Sequence, residues 1–437
     1  MREGPERRRD PRTTESQAIV DAICEATALL LHRDGPDALN TNAIARVAGV
    51  GIGSVYEYFP NKQAIVVEVA RRLEERALEA AMARAGQIDP GDPRSVCASL
   101  VGVLLDPRLG SVTTRRALLV DVPLAWVLPA ATPTDATVER LLGSVMETLS
   151  LRDGPRDVMS FVVFHAVEGA VEGALLRAPE RLFESAFREE VFALAWRYAA
   201  PDGARLEAPS MDPTAPWPEA SEATLARLAA LPRSEGADVA KRVEPSTARG
   251  RASFEAIVGA TSAILGEGGW DAVSARAIAR RAAVSPASVY RYFPDLRAIA
   301  GELARRREAQ TLAAVAPILA DRRRRPLPEL FADLLGALVG AASSDRLLRR
   351  ALLLEVPRRW IRGISDEVAG AVAELGVKQI EVQGDAVRPA PPALLLEVLE
   401  GALSHCVESA VVHRPELLDD PRFVEELVQL AVRYLRS

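Results

Sequence analysis

Residues 50–65 read VGIGSVYEYFPNKQAI, and residues 284–299 read VSPASVYRYFPDLRAI. When the first stretch is aligned with the second so that Val50 meets Val284, nine paired positions hold the same residue. We call the displacement from Val50 to Val284 the repeat offset. It also pairs RRALLVDVP at 115–123 with RRALLLEVP at 349–357. Because two distant segments share one offset, the sequence predicts the duplication of a whole domain rather than a recurring short motif.

Helical periodicity surrounds the quoted stretch in both copies, and no segment alternates as strands do. The first copy is predicted to contain a helix from Thr14 to about Asp34, short helices over 41–47 and 52–58, a long helix capped by Asn61, and further helices near 95–106, 109–127, 134–150, 155–177 and 180–199. The second copy repeats this order. The predicted fold class is therefore all-α, with two tandem units.

The duplication divides the chain into five predicted segments. Residues 1–66 and 249–300 are three-helix domains, residues 67–200 and 301–437 are C-terminal helical domains, and residues 201–248 are a linker. Residues 1–12 are expected to form a loose charged arm, and Ser221–Leu231 to form a short helix inside the Pro-, Ala-, Ser- and Glu-rich linker.

Composition excludes several classes of protein. A net charge of −6 gives no whole-chain sign of nucleic-acid binding, so such a role must depend on a local surface. Cys24, Cys97 and Cys406 lack metal-ligand spacing and fit a reduced, cytoplasmic protein. We expect no membrane span, because apolar runs of about 18 residues are interrupted by charges. We expect no enzymatic activity and no cofactor, because motifs for a nucleophile, a phosphate loop, zinc or a dinucleotide are missing.

A short helix, a four-residue turn and a second short helix form a helix-turn-helix in each copy. The second helix fits the DNA major groove, which is about 12 Å wide, and hydroxyl and cationic side chains beside it can reach phosphates. The candidate DNA-binding residues are Asn40, Thr41, Asn42, Gly51, Ile52, Gly53, Ser54, Tyr56, Tyr58 and Lys62 in the first copy, and Ser274, Arg276, Ser285, Pro286, Ala287, Ser288, Tyr290, Arg291, Tyr292 and Arg297 in the second. The four tyrosines also fit an ordinary aromatic core, which the sequence leaves open.

The first copy resembles the signature of TetR/AcrR-type transcriptional repressors. The matching residues are Asn40, Ile44, Ala45, Ala48, Gly49, Val50, Gly53, Ser54, Val55, Tyr56, Tyr58, Phe59, Pro60, Asn61 and Lys62. The resemblance implies that the first three helices of each copy bind double-stranded DNA, and that the C-terminal helices form a small-molecule pocket and a dimer interface. The second copy departs from the signature at Ala283, at Pro286-Ala287 and at Leu296, where Arg297 is the neighbouring cation.

Candidate ligand-binding residues lie in the C-terminal domains. They are Trp126, Phe161, His165, Glu168, Trp360, Glu400 and His405. His165 and Glu168 share one helix face with Glu172, which also fits a hydrogen-bonded or interface cluster, and the two tryptophans also fit a core. No metal site is expected.

Charge separates the two copies. Residues 1–65 carry eight basic and nine acidic side chains, for a net charge of −1, whereas residues 241–299 carry nine basic and five acidic side chains, for a net charge of +4.

The repeated motif and the family resemblance together predict a ligand-responsive DNA-binding regulator that acts as an intrachain pseudo-dimer on an asymmetric operator. The effector is unknown, and further homodimerisation is left open. The alternative is a ligand-binding or interaction scaffold in which one head no longer binds DNA.

Overall fold

The structure, a computed structural model, describes residues 6–34, 39–86, 88–89, 92–105, 112–204 and 240–437. In this part of the chain the regular structure is helical, with no strand and one isolated bridge between Val387 and Arg436. The prediction of an all-α fold is confirmed. The chain divides into two compact units, Met1–Leu231 and Pro232–Ser437, as the duplication predicts.

Each unit contains nine α-helices within its described residues, in the same order. The first unit has α1 (Thr14–Asp34), α2 (Thr41–Ala48), α3 (Ile52–Tyr58), α4 (Lys62–Ala85), α5 (Arg94–Leu104), α6 (Val112–Asp121), α7 (Leu124–Thr148), α8 (Arg156–Arg177) and α9 (Ser185–Ala199). The second unit has α10 (Ala248–Gly268), α11 (Ala275–Arg281), α12 (Pro286–Tyr292), α13 (Leu296–Ala320), α14 (Leu327–Ser344), α15 (Arg346–Glu355), α16 (Arg358–Gln383), α17 (Pro392–His413) and α18 (Pro421–Leu435).

The N-terminal helices of each unit, with the start of the fourth, enclose a small core that we call the head. The buried core of the first head includes Ile23, Ile44, Val55, Phe59 and Ile65, and that of the second includes Ile257, Ile278, Val289, Phe293 and Ile299. Every pair is separated by the repeat offset. The duplication therefore extends to the packing of the heads.

The repeated segments 115–123 and 349–357 close the heads from the C-terminal side. They form α6 and α15 with the turns that follow. Leu118 and Val122 are buried in the core of the first head, and Leu352 and Val356 are buried in that of the second. Each head core thus includes a helix that the predicted boundaries assign to the C-terminal domain.

The helices predicted over 109–127 and 134–150 are divided differently in the structure. Helix α6 ends at Asp121, and α7 runs without interruption from Leu124 to Thr148. The boundary falls at Pro123, which precedes α7. Because proline lacks an N–H and clashes with the preceding turn, it favours the start of a helix over its interior.

Helices α8 and α14 have the length and apolar composition of a membrane span. In α8, 89% of the apolar window is buried in the protein, whereas in α14 the share is 33%. The core helix of a water-soluble bundle has the same length and composition, so these two helices do not identify a membrane protein.

The segments that precede α1 and α10 dock on the heads. We call residues 6–13 the first arm and residues 240–247 the second arm. The backbone N–H of Arg8 donates to the carbonyl of Tyr58 at 2.7 Å, and that of Arg242 donates to the carbonyl of Tyr292 at 2.7 Å. The prediction of a loose N-terminal arm is therefore wrong at Arg8. The second unit is folded upstream of residue 249, while most of the predicted linker and the helix at Ser221–Leu231 lie outside the described residues.

Candidate nucleic-acid interface

The turn of each helix-turn-helix depends on one residue with a positive φ. Gly49 follows α2 with φ 68°, and Ala283 holds the equivalent position with φ 53°. Among the described residues, Ala283 is the one non-glycine residue with a positive φ. A Cβ in this left-handed region costs on the order of 1 kcal/mol. The second head thus keeps the turn of the first at a small cost in strain.

The recognition helices α3 and α12 begin differently. Gly51 precedes α3 and provides no side-chain cap. Ser285 precedes α12, and its hydroxyl accepts from the Ser288 N–H at 3.2 Å, with Pro286 in the first turn. Because a serine cap and an N-terminal proline both favour helix initiation, α12 has the better-defined start.

Tyr56 and Tyr290 lie on the surface of the recognition helices. Their exposed fractions are 43% and 48%. The Tyr56 hydroxyl lies 3.1 Å from Oγ1 of Thr41 on α2, whereas the second copy has Ala275 at the position of Thr41. Both rings are exposed on the recognition helices, and the hydroxyl of Tyr56 lies beside that of Thr41.

Tyr58 and Tyr292 do not lie on this surface. They are 5% and 4% exposed, within the core clusters of the heads. The Tyr292 hydroxyl donates to the carbonyl of Gly250 at 3.2 Å, and its ring packs edge-on to Phe254. These two tyrosines are core residues, which corrects their place among the candidate DNA contacts. The core interpretation that the sequence left open is right for this pair.

The other candidate DNA-binding residues are distributed between the surface and the helix caps. The exposed residues are Asn42, Gly51, Ile52, Gly53, Arg276, Ser285, Pro286, Ala287 and Arg291, and the half-buried ones are Thr41, Ser54 and Ser288. Asn40 and Ser274 are exposed, but their side-chain oxygens cap α2 and α11 by accepting from the N–H groups of Ala43 and Ala277 at 2.9 and 3.1 Å. These two caps position the helices.

The cations at the start of the fourth helices have different neighbours. Lys62 is exposed and its Nζ donates to the carbonyl of Leu39 at 3.1 Å, which ties α4 to the residue before the Asn40 cap. Arg297 is also exposed, and its guanidinium lies 5.2 Å from the centre of the Trp360 ring. Arg297 therefore provides a surface cation beside the second head, as the sequence predicts.

Each arm reaches the C-terminal end of a recognition helix, a feature that the sequence analysis missed. Besides their backbone bonds, Arg8 Nη1 donates to the Tyr56 carbonyl at 3.3 Å, and Arg242 Nη1 donates to the Tyr290 carbonyl at 3.4 Å. The last carbonyls of a helix lack intrahelical partners and favour a nearby cation. The signal in the sequence is the recurrence of Arg8 as Arg242 at the repeat offset.

The first arm also changes the charge of its recognition helix. Arg9 Nη1 lies 2.5 Å from Oε1 of Glu57, and both side chains are exposed. At the equivalent positions the second copy has Val243 and Arg291. The carboxylate on α3 is therefore compensated by its arm, whereas α12 carries an uncompensated cation of its own at this turn.

The two candidate tryptophans lie against the heads and not among the polar residues of the C-terminal domains. Trp126 packs on the core of the first head, and Trp360 packs on that of the second. The Trp360 ring also lies 5.6 Å from that of Trp270. This placement favours the alternative that both tryptophans cover a core, and their assignment to a ligand pocket stays a prediction.

The first C-terminal domain contains a group of polar side chains, which we call the first polar cluster: the buried His165 and the half-buried Glu74, Arg115, Glu168 and Glu172. Nδ1 of His165 lies 2.9 Å from Glu168, and the ring packs on that of Phe161. Burial raises the pKa of Glu74 to about 7, with Glu168 adding to the rise and Arg115 opposing it. Burial also lowers the pKa of Arg115, against the attraction of Glu172 and Glu74.

The second C-terminal domain has an equivalent group, the second polar cluster: Arg307, Glu308, Arg349, Ser365 and Glu408. Arg307 pairs with Glu308, which also accepts from the Ser365 hydroxyl at 2.9 Å. Burial, and then the neighbouring Arg307, lowers the pKa of Arg349 to about 10. The candidates Glu400 and His405 are half-buried on α17, where Ser404 donates to Glu400 at 3.3 Å.

The sequence analysis missed Glu74 and Arg115 of the first polar cluster, and Glu308 and Arg349 of the second. Glu74 recurs as Glu308 and Arg115 recurs as Arg349 at the repeat offset. Glu172 recurs as Glu408 at the slightly longer offset that pairs LAWRY at 194–198 with LAVRY at 430–434. Charged residues that recur at buried positions were the available signal.

Family profiles match both units. The profile described as "Bacterial regulatory proteins, tetR family" matches residues 23–69 and 257–303, which are again separated by the repeat offset. The profile described as "Tetracyclin repressor-like, C-terminal domain" matches residues 326–435. No curated protein sequence matches the chain.

Solved structures of this family align with about one unit of the chain. SmeT of Stenotrophomonas maltophilia, the repressor of the multidrug efflux pump SmeDEF, is 18% identical, with 45% of this chain and 96% of SmeT covered and a TM-score of 0.33. PfmR of Thermus thermophilus is 18% identical, with 40% and 92% covered and a TM-score of 0.31. The complex of RolR with resorcinol is 20% identical, with 48% and 100% covered and a TM-score of 0.33.

Proposed function

Because the chain belongs to the TetR family and carries the DNA-binding domain of that family twice, we propose that it is a sequence-specific transcriptional regulator that acts as a single-chain pseudo-dimer. The observation that carries the proposal is the pair of heads, each of which presents its recognition helix, α3 or α12, from its own core of equivalent residues. The partner is double-stranded DNA, and the place of action is the cytoplasm.

The proposed DNA-binding surface consists of the exposed residues at the start of each recognition helix, the outer tyrosine and the nearby cations. In the first head these are Asn42, Gly51, Ile52, Gly53, Tyr56 and Lys62, and in the second they are Arg276, Ser285, Pro286, Ala287, Tyr290, Arg291 and Arg297. Thr41, Ser54 and Ser288 are half-buried at its edge. Backbone contacts hold such a surface on the duplex, and base contacts read the sequence.

We propose an operator with two unlike half-sites. Ile52 presents an apolar side chain suited to a thymine methyl, whereas Ser285 presents a hydroxyl and Pro286 has no N–H to donate. A homodimer with identical recognition helices selects half-sites that mirror each other. Fusion of the two copies removes that restriction.

Selection of bound sequences from random DNA tests the proposal. We expect two different half-sites about one helical turn apart. Replacing residues 51–57 by the sequence of residues 285–291 should shift the selected site towards a palindrome of the second half-site. A perfect palindrome for the native chain would contradict the asymmetric operator. Selection of a single half-site would instead favour a scaffold in which one head no longer binds DNA.

The number of chains on DNA tests the pseudo-dimer. Light scattering of the complex with a selected operator should give one chain per site. A complex that requires two chains on one site would show that the heads of a single chain do not act as the pair. If whole chains associate further, the measured mass should correspond to two chains, with four heads, on two operator sites.

We propose that repression responds to a small molecule bound in a C-terminal domain. The support is the position of α6 and α15, each of which has apolar residues in a head core and an arginine, Arg115 or Arg349, in a buried polar cluster. A ligand that binds one arrangement of such a helix more tightly shifts the population of the head it closes. The proposed path from ligand to DNA is therefore the helix that touches both.

A further inference from the structure

The second polar cluster contains buried N–H groups that lack acceptors. Arg349 is 7% exposed, and the side chain of Arg307 is 10% exposed. Nε and Nη1 of Arg307 and Nε of Arg349 have no hydrogen-bond partner among the residues that the structure describes. A buried charged donor without an acceptor is costly, and three such nitrogens lie on the two arginines of this cluster.

The two arginines meet at one turn of helix α13. Nη2 of Arg349 donates to Oγ1 of Thr311 at 3.3 Å, and the Thr311 hydroxyl donates to the Arg307 carbonyl at 3.2 Å. The two like charges repel each other, which adds to the lowering of the pKa of Arg349. Glu308 satisfies one nitrogen of Arg307, and Glu408 is held by Arg358 at 3.6 Å. The three donor nitrogens thus lack a hydrogen-bond acceptor among the described residues, although Glu308 and Glu408 lie near the two arginines.

The first copy shows that this arrangement is not required by the fold. At the positions of Arg307, Thr311 and Arg358 it has Leu73, Ala77 and Leu124. An apolar residue at position 73 is therefore compatible with the same helix in the same fold. The second copy has cations at positions where the first copy has apolar residues, and a stable core by itself does not need buried cations.

We propose that the second polar cluster is a binding site for an organic carboxylate, whose oxygens accept from the buried guanidinium groups of Arg307 and Arg349. Arginine provides planar donors that match a carboxylate, and such charge-assisted hydrogen bonds are the strong ones. A monoanion is favoured over a dianion such as phosphate because Glu308 and Glu408 lie beside the two arginines. The ligand completes the hydrogen bonding of the cluster and separates the two like charges.

The site deepens the proposed function, on which its regulatory meaning rests. Arg349 and Leu352 are one turn apart on α15, and Leu352 is fully buried in the core of the second head. A carboxylate held by Arg349 therefore acts on the helix that closes the head. Binding of the carboxylate itself can be measured without DNA, so the two proposals fail separately.

Calorimetric titration of the full chain with benzoate, benzamide and benzamidinium tests the site, because these three molecules share a shape and differ in charge. We expect benzoate to bind at least tenfold more tightly than the other two, because its acceptor is charged, whereas that of benzamide is neutral and benzamidinium has none. Arg307→Met and Arg349→Met should each weaken benzoate about tenfold or more. Arg346→Met, on the exposed surface of the same helix, is the matched control and should leave benzoate binding unchanged.

Four outcomes would overturn the site: no benzoate binding by the native chain, equal binding of benzoate and benzamide, equal benzoate affinity in the native chain and both arginine variants, or binding of inorganic sulfate alone. Leu73 in the first copy indicates that Arg307→Met folds, and Arg307→Lys provides a second variant that keeps the charge and should retain part of the affinity. A benzoate-dependent change in operator affinity that is lost in Arg349→Met links the site to regulation. If benzoate binds but the affinity for the operator is the same with and without benzoate, the carboxylate site is supported and its regulatory role is not.

Discussion

Glu74 and Glu308 occupy equivalent positions on α4 and α13, and their surroundings act on them in opposite directions. Burial raises the pKa of Glu74 to about 7, and Glu168 adds to the rise. Burial also acts on Glu308, but the adjacent Arg307 holds its pKa below the ordinary value. The residue before Glu74 is Leu73, so the first copy lacks the adjacent guanidinium that lowers the pKa of Glu308.

The heads differ in the same manner, with the backbone kept and the side chains changed. The turn is the same with Gly49 or with Ala283, and the core residues are identical or similar. The charge beside the recognition helix is reversed from Glu57 to Arg291. The comparison teaches that the two copies share what packing requires, while the exposed surface of the recognition helices and the polar clusters differ.

The largest effect is expected when the two equivalent glutamates are neutralised. Because the pKa of Glu74 is raised from 4.5 to about 7 in the folded chain, its contribution to stability is fully present below about pH 4.5 and is lost as pH rises through about 7. Glu74→Gln should therefore stabilise the first unit at pH 8 by up to about 3 kcal/mol, and by much less at pH 5. Hydrogen exchange of α4 and α8 at both pH values measures this difference.

Glu308→Gln should act with the opposite sign. The pKa of Glu308 is lower in the folded chain than in the unfolded chain. Its carboxylate therefore stabilises the fold at pH values above the pKa of the unfolded chain, and this stabilisation is lost as the pH falls through the pKa of the folded chain. The variant should destabilise the second unit at pH 8, with a smaller loss at pH 4. Glu79→Gln, on the exposed face of α4, is the control and should have little effect at either pH. Equal responses of the two buried variants would refute the contrast between the clusters.

A smaller effect is expected from the tyrosines, and it separates the DNA surface from the core. Tyr56→Phe and Tyr290→Phe should weaken operator binding about tenfold each, by the loss of one hydrogen bond to a charged phosphate, with little change in melting temperature. Tyr292→Phe should leave operator affinity unchanged and cost about 1 kcal/mol of stability, since the Gly250 carbonyl loses its donor. Fluorescence anisotropy and thermal unfolding of the same samples give both quantities. A reversal, in which Tyr292→Phe weakens binding and Tyr290→Phe does not, would return the inner tyrosines to the DNA surface.

A change of about 1 kcal/mol is expected at the turn of each head. A Cβ on Gly49 meets no atom within 4 Å, so Gly49→Ala should destabilise the first head through its positive φ alone. Ala283→Gly should stabilise the second head by a similar amount, because it removes the same strain. The protection of backbone amides against hydrogen exchange in each head, measured in the full chain, gives the stability change of both variants. A loss of stability in Ala283→Gly would show that the Ala283 methyl contributes packing that outweighs its strain.

The sequence predicts the helices, the duplication and the turn, because these depend on local spacing and on one repeated offset. It also identifies the surface of each recognition helix, but it does not distinguish Tyr56 from Tyr58. Both are aromatic residues of one short helix, and the burial of one of them depends on α1, which is distant in sequence. The tryptophans were assigned to a pocket for a similar reason, since the packing of Trp126 against the head is a tertiary contact.

The polar clusters were predicted in part. His165 and Glu168 share a helix face, so their pairing follows from helical spacing alone. Arg115 joins them from another helix, and Arg349 acts likewise in the second unit, which periodicity cannot show. The arms were missed because Arg8 and Arg242 lie in segments with the composition of linkers, where the backbone bonds of a single residue leave no periodic pattern.

The smallest effect concerns the charge at the end of each recognition helix. In the first head Arg9 of the arm pairs with Glu57. In the second head the equivalent residues are Val243 and Arg291, so Arg291 has no charged partner from the arm, and we expect it to contact phosphate. Each phosphate contact contributes about 0.9 to the slope of log affinity against log salt. Arg291→Gln should reduce that slope by about one and weaken binding a few-fold at low salt. Glu57→Gln should leave the slope nearly constant, because Arg9 already compensates the carboxylate.

The double variant Arg9→Gln, Glu57→Gln isolates the arm. If Arg9 serves only to neutralise Glu57, the double variant should bind with the affinity and salt slope of the native chain. A slope reduced by about one in the double variant would instead show that Arg9 itself contacts phosphate, and that the arm belongs to the DNA surface of the first head. The Arg9–Glu57 pair would then be a shared contact, and the two heads would be electrostatically more alike than their sequences indicate. Titrations at several salt concentrations on one selected operator distinguish these two results.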